Sequence, residues 1–421
     1  MKKINYLLLL AALAFMGVSC GKDPGGEGGG GTDPGEENKL ETNQWILDEM
    51  KDWYLWPESV SGKTANNTSE YDVFFRSLLS SNDGRDYGNG HLYYSYITRK
   101  EKTRSDNTAE DAILQFGFDF TIEQLVNDTG SDLRREDLWV VFRVTYVVPG
   151  SPAAIAGIKR GNVITNIDGR KITYDNYTTL YPAILSAKYS EADPKPAKLT
   201  WYSSVNAGRW FTLYDQYDNP VSVQGSVVSG LMEKSISPVM MRENPVHTAK
   251  VVTSGLGKKV GYICYNSFDY GNKQTHDWDD KLKEAFIEFK NAGVNELVVD
   301  LRFNGGGAVS SCQLLASMIT TESNVNTSFQ RMYYNATITN KYYSAKGYAD
   351  VPFLTTAQMK GEYYGNTVNG VRLALSRSYV LVSGQSASAS EALIFGLRGA
   401  QNTVEVVVIG EQTVGKTVGM T

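Results

Sequence analysis

The run Glu296-Leu297-Val298-Val299-Asp300-Leu301-Arg302-Phe303-Asn304-Gly305-Gly306-Gly307 decides the fold. Its first half is continuously apolar apart from the ends, the pattern of a strand covered on both faces in a parallel sheet, and its second half is a glycine-rich turn. Upstream, Val260 to Tyr265 reads as another strand. Between the two, Trp278, Leu282, Ala285, Phe286 and Phe289 fall at helical spacing, and Gly293 ends that helix. Strand, helix, strand at this length is a βαβ unit with a right-handed crossover. Downstream, Ser378 to Val382 and Thr403 to Ile409 supply two more strands, with a helix from Ser388 to Leu397 between them. The expected core is therefore α/β, with a mixed or parallel sheet.

In open α/β sheets, ligands gather beyond the carboxyl ends of the strands. Three unusual segments fall there: Arg302 to Gly307, Ser386-Ala387-Ser388-Ala389-Ser390-Glu391, and Thr413-Val414-Gly415-Lys416. A serine needs a base to become a nucleophile, and the usual base is histidine. None of His91, His247 and His276 lies near these segments in sequence. A lysine can serve if burial disfavours its ammonium form, and Lys416 follows a very apolar strand. Ser388-x-x-Glu391 is also a capping box, and a Ser388 engaged as a cap would leave Ser386 or Ser390 as the freer hydroxyl.

Asp300-Leu301-Arg302-x-Asn304-x-Gly306-Gly307, Ser386 to Glu391 and Gly410-Glu411-x-Thr413-x-Gly415-Lys416 together resemble the three signatures of the C-terminal processing, or tail-specific, serine peptidases. The resemblance implies a crotonase-like ββα/βαβ arrangement of the core. It makes Ser388 the nucleophile and Lys416 the general base, with the backbone N–H groups of Ala389 and Gly306 as oxyanion donors. The reaction it implies is cleavage of a protein or peptide, without metal or organic cofactor. Two departures stand out. Members of the family often carry a glutamine four residues after the lysine, where this chain has Met420, and Ser388 lies 28 residues before Lys416 (416 minus 388), a longer spacing than expected. These departures, and the end of the sequence at Thr421, motivate the rival expectation of an inactive surface lipoprotein that binds peptides or glycans on a protease fold.

Ahead of the core, two β-rich runs, Leu114 to Ile122 and Leu138 to Val148, lead into a short helix starting at Ser151 or Pro152. Gly157 stops that helix, and the following strand ends at Asp168-Gly169. This order resembles a circularly permuted PDZ domain. Such a domain takes a peptide tail as an added strand, its backbone amides receiving the terminal carboxylate. Gln115-Phe116-Gly117-Phe118 then corresponds to the carboxylate loop, where glycine permits close backbone approach.

At the front, Lys2 and Lys3 precede an apolar run from Tyr6 to Met16, too short for a permanent membrane span. The run closes on Gly17-Val18-Ser19-Cys20, which resembles the lipobox of bacterial lipoproteins. Acylation at Cys20 would anchor the chain to the outer membrane of a bacterial envelope, on its periplasmic or surface face, at roughly 0.8 kcal/mol per buried methylene. The expected organisation is a signal peptide over residues 1–19 and a glycine-rich tether over 20–38. A mainly helical unit follows over 39–110, then the PDZ-like domain over 111–238 and the peptidase core over 239–421. In the helical unit, Trp45, Asp48, Glu49, Trp53 and Trp56 set one helical pattern that stops at Pro57, and Tyr71 to Leu79 set another. The aromatic run His91 to Ile97 suits a strand with a structural histidine.

Composition narrows the partners. A formal charge of −5 on 421 residues argues for no nucleic acid, and 42% hydrophobic residues can fill real cores. Three histidines without helical spacing and three cysteines give no zinc cluster and no disulfide framework. Cys264 and Cys312 read as buried thiols. Gly410 to Thr417 also fits the P-loop pattern Gly-x-x-x-x-Gly-Lys-Thr. A P-loop needs a helix directly afterwards, which Val418 to Thr421 cannot form, so no nucleotide is expected.

Overall fold

The computed structural model describes residues 39–87, 90–97, 112–185, 195–214, 219–359, 368–400 and 404–419. The signal segment, the tether with Cys20, and Met420 with Thr421 lie outside the described residues. The chain divides into two units, one whose described part is 112–243 and one that joins 39–97 to 244–419.

The 112–243 unit is β-rich. Its main sheet runs in the order Phe118–Val126, Leu138–Val147, Val163–Ile167, Ala197–Tyr214, Pro220–Ile236, with all neighbours antiparallel. Phe116, Phe118, Phe142 and Trp201 are buried in its core, where Phe120 and Phe142 stack at 4.5 Å. The run expected as one strand from Leu114 is broken at Phe116-Gly117. Gly117 has φ +81°, and a Cβ there would lie 2.2 Å from the Ser151 Cβ. The helix Pro152–Ala156 starts as the sequence implies: the Ala154 amide donates to Ser151 Oγ at 3.2 Å. Val239–Met241 pairs back onto Ile113–Gln115, so this unit extends past residue 238 to Glu243.

The second unit holds a sheet in the order Val246–Thr253, Lys259–Tyr265, Glu296–Asp300, Arg377–Val382, Glu405–Gly410. Its first pair is antiparallel and the remaining pairs are parallel, so the sheet is mixed. Leu297 and Val299, next to each other on one strand face, and Val380 beside them are fully buried. Helix Asp277–Asn291 contributes Leu282, Phe286 and Phe289 to the same core, and helix Val309–Ile319 contributes Leu315 and Met318.

Helices Lys39–Trp53 and Tyr71–Leu78 belong to this second unit and close over Ile46, Leu47, Phe74 and Leu78. The buried face of the first helix is Asn43, Ile46, Leu47 and Met50, while Trp45 and Trp53 are exposed. Asn335 fastens this end of the chain to the rest of the unit, its Nδ2 donating to the carbonyls of Asp52 at 2.8 Å and Tyr54 at 3.0 Å. The aromatic run after His91 forms a strand only over Gly90–Leu92. Among the described residues no helix is long and apolar enough to cross a membrane.

Candidate active site

The parallel strands deliver their three following loops to one place, and side chains lace the loops together. After Glu296–Asp300, the Asp300 carboxylate takes the Arg302 guanidinium at 2.9 and 2.6 Å and the Tyr262 hydroxyl at 2.8 Å. Burial pushes the Asp300 carboxyl upward, and the Arg302 and Tyr262 donors outweigh it, holding the group below its ordinary range. The loop is then tied to the serine segment. Ser386 Oγ donates to the Leu301 carbonyl at 2.7 Å and Ser390 Oγ to the Asn304 carbonyl at 2.8 Å.

These bonds separate the three serines. Ser386 and Ser390 are both fully buried, at 0% exposure, with their hydroxyls donated to backbone. Ser388 is partly exposed. It stands on the turn between the strand Arg377–Val382 and the helix Ala389–Gly399, at φ +56° and ψ −114°. A side chain with a Cβ meets steric resistance there, costing on the order of 1–3 kcal/mol, and such outliers concentrate at functional sites. A serine on a strained strand-to-helix turn is also how a nucleophile elbow lifts its hydroxyl clear of a sheet.

Gly306 fits against this turn. A Cβ on it would lie 2.8 Å from the Ser388 Cβ, 3.0 Å from the Ala387 carbonyl oxygen and 3.1 Å from the Ala389 nitrogen, and its φ is +114°. Only glycine combines that contact with that backbone. Its amide, expected as an oxyanion donor, is donated to Asn304 Oδ1 at 2.8 Å, and Asn304 Nδ2 donates in turn to the Tyr265 carbonyl. Ala389 opens its helix, so its amide has no intrahelical acceptor and points with the helix dipole at the N-terminus.

Glu391 joins the serine segment to the lysine segment. Its Oε2 accepts the Ser388 amide at 2.8 Å and the Lys416 amide at 2.9 Å. Its Oε1 accepts the Gly415 amide and the Thr413 hydroxyl, both at 2.6 Å. The capping box of Ser388 and Glu391 is thus present, and its glutamate also holds the segment carrying Lys416. The same bonds leave the P-loop pattern without its chemistry. Two amides that would cradle a phosphate hold a carboxylate of this chain, and no helix follows over 411–419.

Lys416 is half-buried. Burial lowers its amine from the ordinary lysine range, while the negative charges of Asp83 and Glu391 act in the opposite direction. Asp83 comes from the helical unit near the start of the chain, together with Arg85 and Tyr94, whose side chains donate to the carbonyls of Val414 at 2.5 Å and Gly415 at 3.2 Å. These three residues are invisible to motif reading, because more than 300 positions separate Arg85 and Tyr94 from their partners.

Ser388, Ala389, Gly306 and Lys416 therefore fall on adjoining loops. Gln115 to Phe118 lie in the other unit. There Gln115 Nε2 donates to the Met241 carbonyl at 3.2 Å, Phe116 and Phe118 are buried, and the Phe116 and Gly117 carbonyls accept from the Ala153 and Val148 amides. His91 is held by Asp86 Oδ1 at 2.9 Å and the Asp83 carbonyl at 3.0 Å, the structural role its setting suggested. Cys264 and Cys312 are buried thiols outside any disulfide, Cys264 Sγ donating to Asn266 Oδ1 at 3.4 Å and Cys312 Sγ to the Ala389 carbonyl at 3.1 Å. Among the described residues no three His, Cys, Asp or Glu side chains gather as a metal ion would require.

Residues 259–421 match the family described as Peptidase family S41, residues 41–96 the Peptidase S41 N-terminal domain, and residues 143–188 a PDZ domain. Among solved structures, an S41 protease of Bacteroides fragilis NCTC 9343 is 27% identical, with a TM-score of 0.62 over 90% of this chain and 80% of its own. The photosystem II D1 C-terminal processing protease is 16% identical with a TM-score of 0.42, over 90% of this chain and 83% of its own. Mature CPAF bound to lactacystin is 12% identical with a TM-score of 0.37, over 91% of this chain and 85% of its own. A search of curated proteins finds no match. With an S41 N-terminal domain, a PDZ domain and an S41 catalytic domain in succession, the chain belongs to peptidase family S41 and is a serine-type peptidase.

Proposed function

We propose that the peptidase cuts its substrates through a Ser388–Lys416 dyad and an acyl-enzyme, and that the PDZ domain selects them by their C-terminal tails. One observation carries the catalytic half of this reading. A single oxygen, Glu391 Oε2, receives the backbone amides of both Ser388 and Lys416, so the two residues are fixed to a common point. Neutral Lys416 takes the Ser388 Oγ proton as that oxygen attacks the scissile carbonyl. Negative charge developing on the carbonyl oxygen is met by the Ala389 amide and the helix N-terminus behind it. The Lys416 ammonium then gives its proton to the departing amine; water, deprotonated by the now neutral Lys416, attacks the acyl carbonyl, and Lys416 returns that proton to Ser388 Oγ as the acyl group leaves.

The tail-selecting half rests on the 112–243 unit. Phe118–Val126 stands at one end of its strand order, where a peptide can be added as a further strand. The preceding Gln115 to Phe118 segment, turned by Gly117 and anchored through its carbonyls, would offer amides to the tail carboxylate. We also propose that Cys20 is the acylated residue of a lipoprotein, held in a bacterial outer membrane. The small residues Gly17 to Ser19 before the cysteine motivate that reading.

Cleavage of an unfolded protein substrate tests the dyad. Ser388→Ala and Lys416→Ala should each lower kcat by at least about 10³-fold. Cleavage that persists in either variant removes the dyad. For the tail, an amidated C-terminus should raise KM relative to the free acid, and equal values would exclude carboxylate selection. For the anchor, full-length protein expressed in a bacterium should partition into detergent and lose that behaviour in Cys20→Ser. Unchanged partitioning would remove the lipid assignment.

A further inference from the structure

The loop that carries Lys416 is held from two sides, and only one of them belongs to the peptidase domain's own motifs. On the first side is Glu391. On the second is the short segment Asp83 to Ser95, near the start of the chain. Asp83 is fully buried. Its Oδ2 accepts the Tyr54 hydroxyl at 2.9 Å, and its Oδ1 accepts the amides of Tyr94 and Ser95, both at 3.2 Å. The carboxylate thus acts as acceptor to three donors from two segments of the chain. Its backbone is fixed as well, the Asp83 carbonyl sitting 3.0 Å from His91 Nε2.

The two residues that reach the lysine loop flank this carboxylate. Arg85, two positions on, donates to the Val414 carbonyl at 2.5 Å. Tyr94, whose amide is bound by Asp83, donates its hydroxyl to the Gly415 carbonyl at 3.2 Å. Asp83 thus fixes the Tyr94 backbone directly and stands two residues before Arg85, the other grip on the backbone immediately before Lys416. We propose that Asp83 is a positioning residue for the catalytic base, acting through the Arg85 and Tyr94 contacts to the Val414–Gly415 backbone. This rests on the dyad reading and adds to it a working part supplied by the N-terminal domain.

The arrangement has an electrostatic consequence that a purely structural role would lack. Asp83 and Glu391 both act on the Lys416 amine as fixed negative charges and oppose the effect of its burial. Arg85 and Tyr94 face the same loop, and His91 with Asp86 belongs to the hairpin beside them. Removing the Asp83 charge leaves burial less opposed, so Lys416 should lose its proton at lower pH.

The rate of Ser388 labelling by a fluorophosphonate, followed against pH on the full chain, reads this directly. In Asp83→Asn the acid limb should move to lower pH by roughly 0.5–1 unit, and the shift should persist in a His91→Gln background. A limb that stays in place, while Lys416→Ala still abolishes labelling, overturns the role of Asp83 and leaves the dyad intact. Labelling unaffected by Lys416→Ala sinks the dyad itself. Should Asp83→Asn fail to fold, Tyr94→Phe keeps the carboxylate and removes only the hydroxyl bond to Gly415. It should slow labelling about 2- to 10-fold, and an unchanged rate overturns the proposal.

Discussion

Three serines within five residues have identical chemistry, and burial alone gives them different prospects. Ser386 and Ser390 spend their hydroxyls on backbone carbonyls inside the fold, whereas Ser388 keeps partial access to solvent on a strained turn. Lys416 is the matching case among bases, since desolvation disfavours its ammonium and moves its titration below the ordinary lysine value. The sign of the pH dependence follows. The protonated amine cannot accept the serine proton, so kcat/KM should rise with pH as Lys416 deprotonates, with its midpoint below 10.5, the ordinary value for the group. A rate that falls across that limb would contradict a lysine base. Much of this was legible in the linear sequence, because Ser388 and Lys416 sit in recognisable surroundings after apolar strands. Glu391 was legible only as a helix cap, and its service to Gly415 and Lys416 depends on a return of the chain 24 and 25 residues later. Asp83 carried no signal, since its importance arises from long-range folding.

The strand-loop-helix elements convert these residues into a site. The Glu296–Asp300 and Arg377–Val382 strands are adjacent and parallel, so their loops leave the sheet side by side, and Gly306 can rest against Ser388 and Ala389. Gly306→Ala should therefore both strain the backbone and push on the Ser388 turn. We expect a loss of stability of about 1–3 kcal/mol and at least a 10-fold drop in fluorophosphonate labelling. Wild-type labelling in a folded Gly306→Ala protein would show that the close approach has no part in the site. Continuous apolar runs such as Glu296 to Leu301 were readable as strands because burial on both faces leaves no room for polar residues. The long hairpin Ala197–Tyr214 and Pro220–Ile236 was not readable, and its composition explains why. Much of it is exposed, with Trp210, Tyr214 and Leu231 facing solvent among polar neighbours, so no clean inside-outside alternation marks it. In the first helix the pattern read from Trp45 and Trp53 marks the exposed side, and Ile46, Leu47 and Met50 provide the buried face.

At the scale of the whole molecule, the chain keeps its chemistry and its PDZ domain in separate units with separate cores. Every residue assigned to the reaction, from Asp83 to Lys416, belongs to the unit made of both chain ends. Phe142 lies at the centre of the other core, fully buried against Phe120. Phe142→Ala should cost that unit about 3–5 kcal/mol and weaken selection of substrate tails, while Ser388 still takes up a fluorophosphonate. Loss of labelling in parallel with loss of PDZ structure would instead place part of the catalytic machinery there. The account as a whole depends on one serine activated by one lysine, and peptide mapping of the fluorophosphonate adduct tests that most directly. The predicted result is a single modified residue, Ser388, and no adduct in Lys416→Ala. An adduct on a different serine, or on Ser388 at an undiminished rate without Lys416, would contradict it.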